Sequence, residues 1–229
     1  MLQGLIQRTT ASTLRATKRL LHGSPDAFLR KVSGVIHVGA NTGQERELYA
    51  KYNLDVIWIE PIPEVFSELK ANLKGFPRQH AYQYLLTDKD DEEYLFNVAS
   101  NAGGSSSILE FNLHQDFWPD IHYERQIKLE SITLKSLVKK EGIEIDNYDA
   151  LIMDTQGSEM LVLKGAESLL SRFTYIKSEV PDFEAYKNCC RIEDLARFLG
   201  DRGFREINRN KIAVRKAGGT YYDIVYRKI

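Results

Sequence analysis

The stretch Val35-Ile36-His37-Val38-Gly39-Ala40-Asn41-Thr42-Gly43, followed by Ile57-Trp58-Ile59-Glu60, constrains the fold more than any other part of the chain. The first segment reads as a short apolar strand running into a glycine turn, and the second as another apolar strand ending on a carboxylate. Gln44 to Tyr52, between them, suits a helix. A strand, turn, helix, strand and acid in that order form the nucleotide-binding half of a Rossmann-like fold. Gly39 and Gly43 allow a sharp turn and close backbone approach to a ligand. Glu60, at the end of the second strand, can accept two hydrogen bonds from a ribose diol, so an adenosine-like ligand is expected. Dinucleotide sites usually carry G-x-G-x-x-G, with a pyrophosphate against the helix start. This chain has G-x-N-x-G, with Asn41 in place of the second glycine. That fits a nucleoside ligand without a pyrophosphate, such as S-adenosylmethionine (SAM). Taken alone, the glycine pattern is equally an ordinary strand-to-helix turn.

Alternation of strands and helices continues along the chain. The spacing predicts a helix over Glu64–Leu73, a third strand over Tyr82–Leu86, a strand over Glu93–Val98, a loop over Asn101–Ser107 and a strand over Gln126–Ile132. A helix is expected over Leu134–Glu141. Tyr148–Asp154 reads as a buried strand ending in an acid, and the helix after it carries Met160, Leu161, Leu163, Ala166, Leu169 and Leu170. Phe173–Val180 is the next strand, Ile192–Gly200 a helix, and Phe204–Ile207 and Tyr221–Arg227 a closing antiparallel pair. This order predicts an α/β fold with a mostly parallel sheet.

The chain has 229 residues, enough for one such domain with a small addition. With 28% charged residues and a net charge of −1, it lacks the basic excess of a nucleic-acid binder. No apolar run approaches the ~20 residues that span a bilayer. Cys189 and Cys190 are adjacent, a poor arrangement for a disulfide, which favours a reduced, cytoplasmic setting. Residues 1–27 form a basic N-terminal extension with Arg8, Arg15, Lys18 and Arg19. A helix packing on the domain or making a homodimer contact is the simpler expectation there, and a membrane-surface or transit segment the alternative. The domain proper is expected over residues 28–229.

The chain resembles the class I SAM-dependent methyltransferases, and more narrowly the FkbM family. The resemblance rests on Val38-Gly39-Ala40-Asn41-Thr42-Gly43, Glu60-Pro61, Thr87-Asp88 and Ser105-Ser106-Ser107. Above all it rests on Leu151-Ile152-Met153-Asp154-Thr155-Gln156-Gly157-Ser158-Glu159 leading to Val162-Leu163-Lys164-Gly165-Ala166. It implies a seven-stranded, mostly parallel sheet with an antiparallel last strand, helices on both faces, and a SAM pocket across the strand ends. The residues it assigns to the cofactor are His37, Gly39, Ala40, Asn41, Gly43, Glu60, Pro61, Thr87, Asp88, Ser106, Asp154 and Gln156. His37 departs from the family pattern, which often has an acid there for the ammonium of SAM; a buried structural histidine is the other reading. The resemblance also implies transfer to a hydroxyl, most often of a sugar in a glycan, glycolipid or secondary metabolite.

A hydroxyl acceptor must lose its proton, so a base or a metal is required. Asp154 is the first candidate base, or else a carboxylate at the helix start. Glu179 ends a strand near it. His114 and His122 lie in an aromatic segment with Trp118 and Tyr123, where rings could stack on a sugar face. Glu159 suits a role at the helix start. No spacing demands a metal; Mg²⁺ held by Asp154, Glu159 and Glu179 stays open. The competing functions are a SAM-binding interaction module without catalysis, a methyltransferase for protein or another small molecule, and a nicotinamide-dependent enzyme. The Asn/Asp-Pro-Pro-aromatic motif of exocyclic-amine methylation is replaced by Asp154-Thr155-Gln156-Gly157.

Overall fold

A computed structural model describes residues 25–229. The helix and the surface or dimer contacts expected of the N-terminal segment up to residue 24 fall outside them. Two sheets carry the fold. The main sheet is built from β1 (Gly34–Val38), β2 (Asp55–Ile59), β3 (Gln79–Tyr82), β7 (Ala150–Met153), β8 (Tyr175–Pro181), β9 (Phe204–Val214) and β10 (Thr220–Lys228). Its strand order is β3-β2-β1-β7-β8-β10-β9. The last strand in the chain, β10, runs antiparallel to both neighbours, while β3, β2, β1, β7 and β8 pair in parallel. The smaller sheet holds β4 (Leu85–Leu86), β6 (Tyr123–Ile132) and β5 (Glu93–Ala99).

Alternation along the strands sends side chains to two apolar layers. On one face Ile36, Val38, Leu151 and Met153 pack with Leu137 of α3 (Leu134–Lys140), Val162 and Leu163 of α4 (Glu159–Gly165) and Leu195 and Leu199 of α5 (Ile192–Gly200). On the other, Val35, Val56, Trp58 and Ile152 pack with Phe28, Leu29, Tyr49 of α1 (Arg46–Lys51) and Leu69 of α2 (Pro63–Asn72). Each of these large side chains contributes about 1.5–3 kcal/mol by leaving water. The Trp58 indole also donates to Gln79 Oε1 at 3.1 Å, so its burial leaves no polar atom stranded.

Three elements differ from the sequence expectation. The third strand of the main sheet is Gln79–Tyr82, whereas Leu85 and Leu86 turn away and pair in parallel with Ser131 and Ile132. The apolar pair marks the second sheet, and the polar Gln-His segment before it makes the real strand. The long helix after Asp154 ends at Gly165 and continues as a 3₁₀ segment over Glu167–Arg172. A Cβ on Gly165 would stand 2.1 Å from the Thr87 carbonyl oxygen, so the helix can sit this close to β4 only through glycine. Finally, β9 runs to Val214 rather than Ile207. It is an edge strand whose alternate polar residues face solvent, and polar composition hides such a strand in a sequence.

Candidate functional site

A cavity of about 340 Å³ opens at the carboxyl ends of β1, β2 and β7. Its floor is the turn after β1. The amides of Gly39 and Ala40 both donate to the Ile59 carbonyl, which ties this turn to β2. Gly39 has a φ of 78°, and a Cβ there would lie 2.0 Å from the Asp154 carbonyl oxygen. Asn41, with a φ of 45°, donates through Nδ2 to the Ala102 carbonyl at 3.1 Å, pinning the loop after β5 over the cavity.

Three carboxylates line this space, from Glu45, Glu60 and Asp154, and the lining includes no lysine or arginine among the described residues. Glu60 is 4% exposed. Its Oε2 accepts from the Asn41 amide and its Oε1 from the Ile62 amide, both at 2.9 Å. Burial pushes this carboxyl up to about 7 against the pull of those two N–H groups. Asp154 accepts from Gln156 Nε2 at 2.6 Å. Burial, and then the charge of Glu159, also push Asp154 up to about 7, while the Gln156 amide opposes them. Burial raises Glu45 as well. The cavity's other wall is apolar, made by Ile62, Leu85, Leu86 and Phe96 with Tyr84.

Of the residues expected to hold the cofactor, His37, Gly39, Ala40, Asn41, Glu60, Pro61, Ser106, Asp154 and Gln156 line the cavity together. Gly43, Thr87 and Asp88 lie outside its lining. Gly43 backs onto Leu69, Thr87 onto Gly165, and Tyr84–Leu86 stand where Thr87 and Asp88 were expected. His37 is buried, stacked on Trp58 with centroids 4.9 Å apart, and its Nδ1 lies 3.0 Å from the Tyr49 hydroxyl. Burial, aided by Lys177, pushes it down to about 3, so it is neutral and supplies no charge. Lys177 itself is held by Asp26 at 2.9 Å and Asp223 at 3.6 Å.

The expected bases separate sharply. Glu179 sits one strand over from Asp154, paired in register with Asp223. Burial and the charges of Asp154, Asp223 and Glu159 raise its pKa well above the ordinary carboxylate range. His114 is 1% exposed and outside the cavity lining. Its Nε2 is 3.1 Å from Ser105 Oγ, and its ring packs on Phe111 and Trp118. Burial pushes it down to about 4. His122 is exposed, with Nδ1 3.2 Å from the Asp120 carbonyl. The aromatic segment packs on itself and on Phe183, Tyr186 and Tyr221. Ser105, Ser106 and Ser107 are buried and hydrogen-bonded, so this segment is a fixed wall. Glu159 holds the turn before α4: its Oε1 accepts from the amides of Thr155 and Gly157, each at 3.1 Å. Among the described residues no group of three His, Cys, Asp or Glu side chains is arranged to hold a metal ion.

Several lining residues escape sequence reasoning. Glu45 falls in a segment that reads as surface helix, and Tyr84–Leu86 in one that reads as a sheet strand. Phe96, Gly103 and Gly104 arrive from an insertion whose position over the cavity depends on long-range contacts such as Asn41 to Ala102.

The sheet order, the single antiparallel strand and a cavity at the strand ends define a class I methyltransferase fold. Residues 37–206 match the methyltransferase FkbM domain, and the chain belongs to that family. The 2-O-methyltransferase NoeI of Sinorhizobium fredii (strain NBRC 101917 / NGR234) is 23% identical over 189 residues, covering 79% of this chain and 74% of that protein. Among solved structures, the METTL16 MTase domain is similar with a TM-score of 0.52 at 10% identity over 90% of this chain. An uncharacterized protein from Listeria monocytogenes serotype 4b gives 0.52 at 9% identity over 90%. These two are likenesses of fold, and the chain spans 65% of each of them. No helix among the described residues is long and apolar enough to cross a membrane.

Proposed function

We propose that this methyltransferase uses SAM and transfers the methyl group to a hydroxyl, that of a sugar in a glycan, glycolipid or secondary metabolite. The observation that carries the reading is the charge of the cavity. Among the described residues three carboxylates and no lysine or arginine line it, which suits a ligand bearing a sulfonium and an ammonium and opposes a polyphosphate. The name of the relative NoeI supports an oxygen acceptor.

In this reading Glu60 accepts from the ribose hydroxyls, and Leu85, Leu86 and Phe96 cover the adenine. With His37 neutral, Glu45 is the carboxylate for the ammonium. When bound, SAM supplies a methyl group already activated by its sulfonium. The chain's own work is then to align the acceptor and take its proton. Asp154 faces the cavity with a pKa of about 7, so it is both ionised in part and basic enough to accept a proton near neutrality. Burial and the charge of Asp154 also raise Glu179, one strand over, so ionisation of both acids together is disfavoured.

Calorimetric titration of the chain with SAM, S-adenosylhomocysteine, NAD and ATP tests the reading. Saturable binding of the first two is expected, with none of the last two. Absence of binding by both sulfur ligands sinks it. Sugar acceptors are then screened with and without Mg²⁺.

A further inference from the structure

The geometry points to Tyr186 as a positioning residue for Asp154, acting through the side-chain amide of Gln156. Tyr186 lies between β8 and α5, far from the glycine turn in sequence, and is 1% exposed. Its phenol donates to Gln156 Oε1 at 2.6 Å, and Gln156 Nε2 donates to Asp154 Oδ1 at 2.6 Å. An amide has one accepting end and one donating end. A phenol donating to the oxygen end leaves the nitrogen end for Asp154, so the ring sets which way round the amide sits.

Each member is itself held. Gln156 has a φ of 54°, and its backbone carbonyl accepts from Ser107 Oγ at 2.8 Å. The Tyr186 ring packs on Phe111 and His114, with centroids 5.5 and 5.2 Å away. A second acceptor for the phenol, the Ser105 carbonyl, lies 3.4 Å away. The amide could therefore reverse when Asp154 is protonated, with the phenol turning to Ser105. Ionised Asp154 favours the arrangement observed.

The charges that bear on Asp154 from Glu159 of α4, Asp223 of β10 and Glu45 in the turn before α1 all oppose its ionisation. Glu179 of β8 is raised by Asp154 in turn, and the cation of this cluster, Lys177 of β8, is held by Asp26 and Asp223. Among the described residues the Gln156 amide is the one side-chain donor to its carboxylate. Losing the phenol removes the preference for the orientation that serves the anion. The proton affinity of Asp154 then rises.

The inference rests on Asp154 as the base of the proposed reaction, but its test needs neither donor nor acceptor. The carboxyl ¹³C resonances of the labelled full chain are followed against pH, with Asp154 identified by its loss in Asp154→Asn. In Tyr186→Phe the Asp154 midpoint is expected to rise by roughly half to one pH unit. Gln156→Met should raise it at least as much, and the double variant no further than Gln156→Met. The Glu60 midpoint should stay put, which a general loosening of the site would not allow. In the unsubstituted chain the Gln156 side-chain NH₂ resonance should titrate with Asp154, a measurement that survives if a variant fails to fold. An unshifted Asp154 midpoint in Tyr186→Phe, additive shifts in the double variant, or a Gln156 amide that ignores the titration overturns the relay. None of these outcomes bears on SAM binding, and failed SAM binding leaves the titration readable.

Discussion

Glu60 and Asp154 sit at the ends of two strands on either side of β1, and both are pushed up to about 7. They reach that value by different routes. Glu60 answers to burial and to two backbone amides, those of Asn41 in the turn after β1 and of Ile62 just before α2. Asp154 answers to burial, to acids from α4, β10 and the turn before α1, and to one side-chain amide. One carboxylate is set by local backbone and the other by side chains gathered from across the domain. Glu60 should therefore tolerate distant substitutions, and Asp154 should register them.

The largest break in this comparison is expected from Gly39→Ala, which touches both ends. Its Cβ would collide with the Asp154 carbonyl in a backbone conformation that alanine resists. The expected loss is about 3 kcal/mol or more, read as a fall in the urea midpoint. Asp154→Asn is expected to lower the methyl-transfer rate by about 10²–10⁴, a larger effect than its loss of SAM affinity, measured on a sugar acceptor that the unsubstituted chain methylates. Glu60→Ala should do the reverse. It is expected to weaken SAM binding roughly a hundredfold by calorimetry, since two charge-assisted hydrogen bonds disappear.

A pH series sharpens the contrast further. The folded-state pKa of Glu60 lies above the value of 4.5 expected unfolded. Its contribution to the stability of the ligand-free chain is full below about 4.5 and is lost as pH rises through about 7. In the proposed role Glu60 accepts from the ribose as a carboxylate, so affinity for SAM is expected to run the other way and to fall as pH drops through about 7. Thermal midpoints and calorimetric affinities of the chain and of Glu60→Gln at pH 5.5 and 8 should show these opposite trends in the first and weaker ones in the second, where Asp154 still titrates near 7. The smallest effect is expected from Asp88→Ala. That side chain is outside the cavity lining, so SAM affinity should change by less than about twofold.

Much of the site was legible because it is written in local chemistry. The apolar strand before Gly39, the positive-φ turn and the acid after Trp58-Ile59 form within 26 residues of chain, and their residue types have few other uses together. The D-T-Q-G-S-E segment was legible for the same reason, and Glu159 does brace the turn that carries Asp154. The histidines are harder to read, because aromatic neighbours look alike whether they line a pocket or fill one. His114 proved to be packed and hydrogen-bonded inside its cluster, and His122 exposed. Thr87 and Asp88 were displaced by three residues because the chain leaves the main sheet after Tyr82, a step set by pairing with β6.

The sequence by itself determined the order of strands and helices, the glycine turn and the two strand-end acids. Each depends on periodicity or on backbone freedom within a short stretch. The tertiary structure alone decided which carboxylates share the cavity, that His37 is neutral, and that Tyr186 reaches Asp154 through Gln156. Charge and hydrogen-bond orientation depend on what surrounds a group within a few ångströms, and here those neighbours come from opposite ends of the chain.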